Sequence, residues 1–423
     1  MVSPLAILLL LPVVAAISLQ PSAFSAYRSK LSPSLRLLGH QPPTNNFYML
    51  SFSAVATYYN EEESIAQPEL LRDEIIFDNV SGSCSKTTEH QFWKWRNHDI
   101  FTEVRTPASS ISSESSSKPN IILLHGFGAS TTYWRETMTT LQNEGFEVHA
   151  LDLLGQGRSS KPYAQDNGEG KPAKFPYKLY PQQQRQQQQQ RFTTQEEETS
   201  PLSIGKSTNT KVKHSINLWA KMVDDYARHY NMDEVILMGN SLGSLVALSA
   251  ATGDFIESQN NIDRENMFGY LAGNNLDERR VKGVCLFNCA VGLNSMNILK
   301  NTDFSAVQRN VFKWIFGIFN TLIFDNEALL KFVLDNVVTK DLLRDTLKGL
   351  YSYNPDRVDE ELVDSFYYPA KFGGNGAIEA IRQIYCNDAG MSPMELHAKY
   401  PEILDKLPIH LVWGDSEFGV IPM

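Results

Sequence analysis

The stretch "VILMGNSLGS", residues 235–244, restricts this chain more than any other ten residues do. An apolar run enters Gly239-Asn240-Ser241-Leu242-Gly243, and a small-residue segment, "LGSLVALSAAT", follows. A strand that turns sharply into a helix through G-x-S-x-G is a nucleophile elbow, which pushes its serine outward at the carboxyl edge of a sheet. Gly239 and Gly243 are expected to be obligatory, because a β-carbon at either would collide with the neighbouring strand or helix.

The rest of the chain supplies a sheet for such an elbow. "QFWKWRNHDIFTEVRT" (91–106) reads as two short strands around a turn at Asn97-His98. "NIILLHGFGAS" is a buried strand entering a glycine turn, and "EVHALDLLGQGRS" is another, turning at Gly155 and Gly157. Between them, "TTYWRETMTTLQNEG" places Trp134, Met138 and Leu141 on one helical face, with Gly145 positioned to end the helix. "HSINLWAKMVDDYARHY" (214–230) does the same with Ile216, Trp219, Val223 and Tyr226. "VKGVCLFNCAVG" is a further strand, and "PIHLVWGD" resumes the sheet after about a hundred residues of helical pattern. Strands alternating with helices at this spacing predict the α/β class, with a mostly parallel, doubly covered sheet. The core is expected over 91–299 and 401–423, preceded by a linker (61–90). The helical segment 300–400 reads as a cap over the active-site face. Two insertions interrupt the core: 163–213, with the tract "PQQQRQQQQQR", and an Asn-rich one at 254–280. The glutamine tract cannot bury enough apolar surface to fold and is expected to be solvated.

Composition narrows the partners. Hydrophobic residues make up 42% of 423, enough for a sizeable core, and the net charge is −10. No basic cluster with interleaved aromatics is present, so nucleic acid is excluded as a partner. The four cysteines (Cys84, Cys285, Cys289, Cys386) show no C-x-x-C spacing, and no metal or cofactor is expected. Cys285 and Cys289 read as small buried apolar groups of a strand. The first 60 residues differ in kind. "PLAILLLLPVVAAI" (4–17) is a signal-type apolar region too short to span a bilayer. From residue 18 to Asn60 no acidic residue occurs, while Arg28, Lys30 and Arg36 sit among serines. A signal peptide (1–23) followed by a transit-like segment (24–60) resembles the bipartite presequences of algae with secondary plastids, and predicts plastid import. The alternative is an ordinary signal with a tail, giving a secreted or endomembrane protein.

The chemistry centres on Ser241. The helix beginning at Leu242 points its N-terminus at the oxyanion that forms on attack, with the Leu242 N–H as one donor. The second donor is expected from the "HGFG" turn (125–128), at the Phe127 N–H. A "D-x-x-G-x-G-x-S" turn (152–159) lies between this turn and the elbow.

With these motifs the chain resembles the α/β-hydrolase fold family. Its wording is most similar to the plastid pheophytinase and chlorophyll dephytylase-like esterases, in "FWKWRNHDIFTEV", "LLHGFGAS", "ALDLLGQGRSSKP", "LMGNSLGSLVAL", "KGVCLFNCA" and "LPIHLVWGD". The resemblance implies metal-free hydrolysis of a hydrophobic carboxylic ester, such as the phytyl ester of a chlorophyll-type pigment, through a Ser241 acyl-enzyme. Epoxide hydrolases and haloalkane dehalogenases need aspartate where this chain has Ser241.

The other two triad members are less legible. His125 adjoins the site, but in an HGxG turn that histidine serves the loop's own hydrogen bonding. His149 and His410 fall in strands; His214 and His229 flank a surface helix. The resemblance places the acid on the turn after "LVWGD", with Glu417 or Asp415 as candidates, and the base roughly 25–35 residues later. No histidine follows them before Met423. A serine without its base stays a neutral alcohol, so the chain as it stands is expected to be nearly inactive. It reads either as a C-terminally truncated esterase lacking the last strand and helix, or as a non-catalytic binding protein of the same fold. A third reading is an esterase or lipase acting on glycerolipids. "VFKWIFGIFNTLIF" (311–324) is expected to be a buried helix of the cap, the alternative being a greasy lid at a thylakoid or other membrane surface.

Overall fold

A computed structural model of the chain describes residues 87–107, 118–163, 212–256, 269–273, 278–292, 305–351, 354–388 and 390–413. The segments expected to be signal and transit sequence, the glutamine tract, most of the Asn-rich insertion, and Asp415 and Glu417 lie outside the described residues.

The chain opens with β1 (Thr87–Trp95) and β2 (His98–Thr106), an antiparallel hairpin in which Trp95 faces His98. Its two-residue loop is therefore Arg96-Asn97, one residue earlier than the sequence suggests. Both loop residues are left-handed, at φ 47° and 67°. That conformation matches the right-handed twist of the flanking strands, and asparagine tolerates it better than most residues do. β3 (Asn120–Leu124), β4 (Val148–Leu151), β5 (Val235–Asn240), β6 (Val281–Phe287) and β7 (Ile409–Val412) follow. They form a seven-stranded sheet in the order β1-β2-β4-β3-β5-β6-β7, parallel from β4 to β7.

Both faces of the sheet are covered, as the near-continuous apolar strands require. Alternation along β3 divides the core. Ile121 and Leu123 pack with Trp134, Met138 and Leu141 of the segment leading into and forming α1 (Arg135–Asn143). Ile122 and Leu124 face the other way, toward α2 (Ile216–His229) and α3 (Leu242–Thr252). Every residue of α3 is buried. Its alanines and serines let a helix with no polar face lie close against the sheet. Part of the Asn-rich insertion also folds back onto the core. Leu271 is fully buried, and its N–H donates to Asp224 Oδ1 at 2.8 Å.

The segment between β6 and β7 is helical. α4 (Ala306–Phe319) runs into a π-helical turn (Asn320–Phe324), followed by α5 (Glu327–Asn336) and α6 (Lys340–Leu350). Then come α7 (Glu360–Phe372), α8 (Gly374–Cys386), α9 (Pro393–Lys399) and the short α10 (Pro401–Leu404). Leu396 of α9 and Leu404 of α10 join the main core, whereas Leu347, Val358, Leu362 and Val363 form a small core of their own.

Two expectations are corrected here. The run 311–324 is not a buried helix: Val311, Trp314 and Leu322 are exposed, Trp314 at 70%. Phe316 and Phe324 are the aromatic rings it buries. Periodicity marks an apolar face without saying whether anything covers it. His214 likewise does not lie at the surface. It is 1% exposed, with its ring stacked on Trp219 at 6.1 Å.

Candidate active site

β5 ends at Asn240, and Ser241 follows at φ 51°, ψ −114°, directly before α3. A non-glycine residue rarely adopts this backbone, and the surroundings hold it there. The Ser241 N–H donates to Phe287 O at 2.9 Å, and its carbonyl accepts from the N–H groups of Ser244 (3.0 Å) and Ala290 (3.2 Å). The elbow is thus bolted to the carboxyl end of β6. The glycines are sterically required. A β-carbon on Gly239 would lie 2.3 Å from Gly243 O, and one on Gly243 would lie 2.2 Å from Leu124 O.

The HGFG turn leaves β3 beside the elbow. A β-carbon on Gly126 would sit 3.2 Å from Ser241 Cβ, so the turn passes at van der Waals distance from the serine. Among the described residues, neither the Phe127 nor the Leu242 N–H meets an acceptor, which is the state an oxyanion donor needs. The next amide, Gly128 N–H, is held at 2.8 Å by Gln156 Oε1.

His125 is fully buried, and both its ring nitrogens are occupied by backbone. Nε2 accepts from the Leu153 N–H at 3.0 Å, which leaves Nδ1 as the donor to Gly126 O at 2.7 Å. Burial lowers its pKa. The ring ties the turn to the strand-end loop after β4 and has no nitrogen left for Ser241. That loop is ordered by Asp152, which accepts from the Thr131 and Arg158 N–H groups, each at 2.6 Å. Among the described residues no imidazole reaches Ser241.

The carboxyl end of β7 emerges on the same edge, because Asn288 N–H, just beyond β6, donates to Val412 O at 2.8 Å. β7 therefore ends at Val412 one strand beyond β6 and two from the elbow. The side chains of Asp415 and Glu417 lie outside the described residues.

Several neighbours of the site carry no motif. Asn240 Nδ2 donates to Tyr133 OH at 3.0 Å, and burial raises the Tyr133 pKa so that it stays a neutral phenol. Phe127 meets Tyr385 of α8 edge-on at 5.5 Å, and Tyr385 stacks flat on Phe324 at 4.0 Å. Phe366 of α7 lies 4.0 Å from where a Gly128 β-carbon would be. The cap thus bears directly on the HGFG turn. Apart from the Tyr385–Phe324 stack, these contacts join residues more than a hundred positions apart, so only the folded chain reveals them.

Residues 119–253 match the family model described as the alpha/beta hydrolase fold. A pimeloyl-[acyl-carrier protein] methyl ester esterase of Vibrio campbellii is 42% identical over 48 residues, 11% of this chain and 18% of that protein. Probable lysophospholipase BODYGUARD 1 of Arabidopsis thaliana is 33% identical over 70 residues, 16% of this chain and 14% of that protein. The chain thus matches under a fifth of the length of either relative. Among solved structures, a membrane phospholipase A described as a bacterial virulence factor aligns at TM-score 0.41 and 15% identity, covering 80% of this chain and 72% of that one. A laboratory-evolved potato epoxide hydrolase aligns at TM-score 0.43 and 16% identity, covering 78% and 82%. With the parallel sheet, the elbow between β5 and α3 and the family match over residues 119–253, the chain has the α/β-hydrolase fold.

Proposed function

We propose that the protein is a carboxylic ester hydrolase with Ser241 as nucleophile, acting on a hydrophobic ester. The single observation that carries this reading is the strained Ser241 backbone beside two amides, those of Phe127 and Leu242, that meet no acceptor among the described residues. Attack of Ser241 Oγ on the ester carbonyl carbon forms a C–O bond and places negative charge on the carbonyl oxygen. The two N–H groups and the α3 N-terminus stabilise that charge. Collapse of the intermediate expels the alcohol and leaves an acyl-serine, which water hydrolyses. The base that takes the Ser241 proton is not among the described histidines. Glu417 or Asp415 is the acid that would orient it.

The specific substrate supported by the sequence resemblance is the phytyl ester of a chlorophyll-type pigment, met in a plastid after import through residues 1–60. The match to a probable lysophospholipase favours a second reading, an acyl ester of a glycerolipid. Protein isolated from its native source should be modified by a fluorophosphonate on the peptide carrying Ser241, and a Ser241→Ala protein should not react. Label that persists in the alanine variant places the nucleophile elsewhere; no label on the native protein leaves a binding protein of this fold. Released phytol from pheophytin, against released fatty acid from a lysophospholipid, separates the two substrates.

A further inference from the structure

The cap carries a helix with an apolar stripe that nothing among the described residues covers. Val307, Val311 and Trp314 of α4 and Leu322 of the following turn are 72%, 50%, 70% and 60% exposed. With half-buried Ile318 they fall at steps of four, three, four and four residues, which is one face of a helix. Beside them lies an open cleft of about 710 Å³ between Lys313, Trp314, Ile318 and Leu322. A large exposed apolar patch on a soluble fold marks a surface for a partner.

Charge identifies the partner. The chain as a whole has a net charge of −10, yet residues 304–324 contain no acidic residue, and their charged groups are Arg309 and Lys313. A second copy of the same face would bring like charges together as the stripes met. Anionic lipid headgroups would instead meet the cations while the acyl boundary takes up the stripe. A tryptophan in mid-stripe suits that boundary, because its ring is apolar and its N–H polar. The helix buries Phe316 on its other side, and Ser305 and Gln308 close a capping box at its start. No helix among the described residues is long and apolar enough to cross a membrane.

We infer that α4 is a docking helix that seats the cap on an anionic lipid bilayer, with Val307, Val311, Trp314 and Leu322 in the acyl boundary and Lys313 among the headgroups. The inference goes beyond the hydrolase reading and does not depend on it. It does give the cap a consequence for the site. The turn that ends the stripe buries Phe324, which stacks on Tyr385, which in turn meets Phe127. A bilayer seated on α4 is thus connected through three rings to the oxyanion turn.

Flotation of the full chain with lipid vesicles tests this without any substrate. The wild-type protein should float with phosphatidylcholine–phosphatidylserine vesicles, more weakly with phosphatidylcholine alone, and less as salt is raised. Lys313→Gln should weaken binding about fivefold. Trp314→Glu should reduce it at least about tenfold, since it replaces a ring in the acyl boundary with a charge. The Trp314 side chain is mostly exposed, so the variant should keep the wild-type circular dichroism and melting temperature. Flotation unaffected by Trp314→Glu, or no flotation of the wild type, overturns the inference. So does a wild-type dimer that Trp314→Glu converts to monomer, which would make a second copy the occupant.

Discussion

At the scale of single residues, the site is a set of steric and electrostatic constraints around Ser241. Gly243→Ala would drive a methyl group into Leu124 O, which is backbone and cannot step aside. The expected loss is about 3 kcal/mol or more, as for severe overpacking, read as a lowered denaturation midpoint with unchanged slope. A wild-type-like midpoint would show that the elbow has room the structure does not. The strain at Ser241 predicts an ordering between two inactive variants. Ser241→Gly should be more stable than Ser241→Ala by about 1 kcal/mol, because only alanine keeps a β-carbon at φ 51°. His214 adds a pH dependence. Burial foremost pushes its pKa down to about 4, against the opposing effect of Glu379 and with His98 and Lys161 acting in the same direction as burial. Neither ring nitrogen finds a hydrogen-bond partner among the described residues. The unfolded chain takes up this proton near pH 6.5 and the folded chain only near 4, so the unfolded state binds more protons in between. Stability should therefore fall as pH drops from about 6.5 to about 4, by on the order of 3 kcal/mol from this group. Between the melting curves of the wild type and His214→Phe, the gap should shift in favour of the variant by about that amount as pH falls across that window. A constant gap between them would assign the effect to other groups.

At the scale of elements, the geometry of the proposed site depends on how the cap meets the sheet. The HGFG turn is held by hydrogen bonds to the His125 ring and to Gln156, and its Phe127 ring meets Tyr385 of α8 edge-on. Tyr385→Ala would leave a void between Phe127 and Phe324 of the kind that costs about 3–5 kcal/mol when an aromatic ring is deleted from a core. Its particular consequence should be kinetic: reaction of Ser241 with a fluorophosphonate should slow about tenfold as the Phe127 N–H loses its position, an effect of roughly 1.4 kcal/mol on the barrier. Tyr385→Phe keeps the stacking and should label at the wild-type rate. If both variants label alike, the cap does not position the turn. Ion pairs between Arg135 and Asp359 (3.2 Å) and between Arg357 and Glu136 (2.7 Å) also bridge cap and core, but at exposed positions worth little individually.

At the scale of the whole molecule, function depends on where the chain is delivered as well as on how it folds. Residues 1–65 fused to a fluorescent protein should carry it into a plastid, since an apolar region leads directly into an acid-free, serine-rich, basic one. Fluorescence in the medium or the cytosol would refute that targeting. A plastid address and a lipid-docking cap would together present the site to esters that partition into bilayers.

What the sequence determined by itself was whatever is encoded locally. The strand–GNSLG–helix signature established the elbow, because the clash at Gly239 and Gly243 arises between segments only a few residues apart or one strand away. Strand and helix alternation established the parallel sheet, since periods of 2 and 3.6 residues report which faces are apolar. Periodicity could not say which apolar face would be covered. The run 311–324 has the pattern of a core helix, yet α4 lies at the surface, because covering depends on what the rest of the chain brings to that face. His214 shows the converse: beside a helix and polar, it reads as a surface residue until Gly155 of one loop, Trp219 of α2 and Gln383 of α8 close around it. The Phe127–Tyr385–Phe324 contacts and the Asn240–Tyr133 bond likewise exist only after distant segments have docked. Local sterics and hydrophobic period act between neighbours in sequence, whereas burial and ring packing act between neighbours in space, and only tertiary structure decides which residues those are.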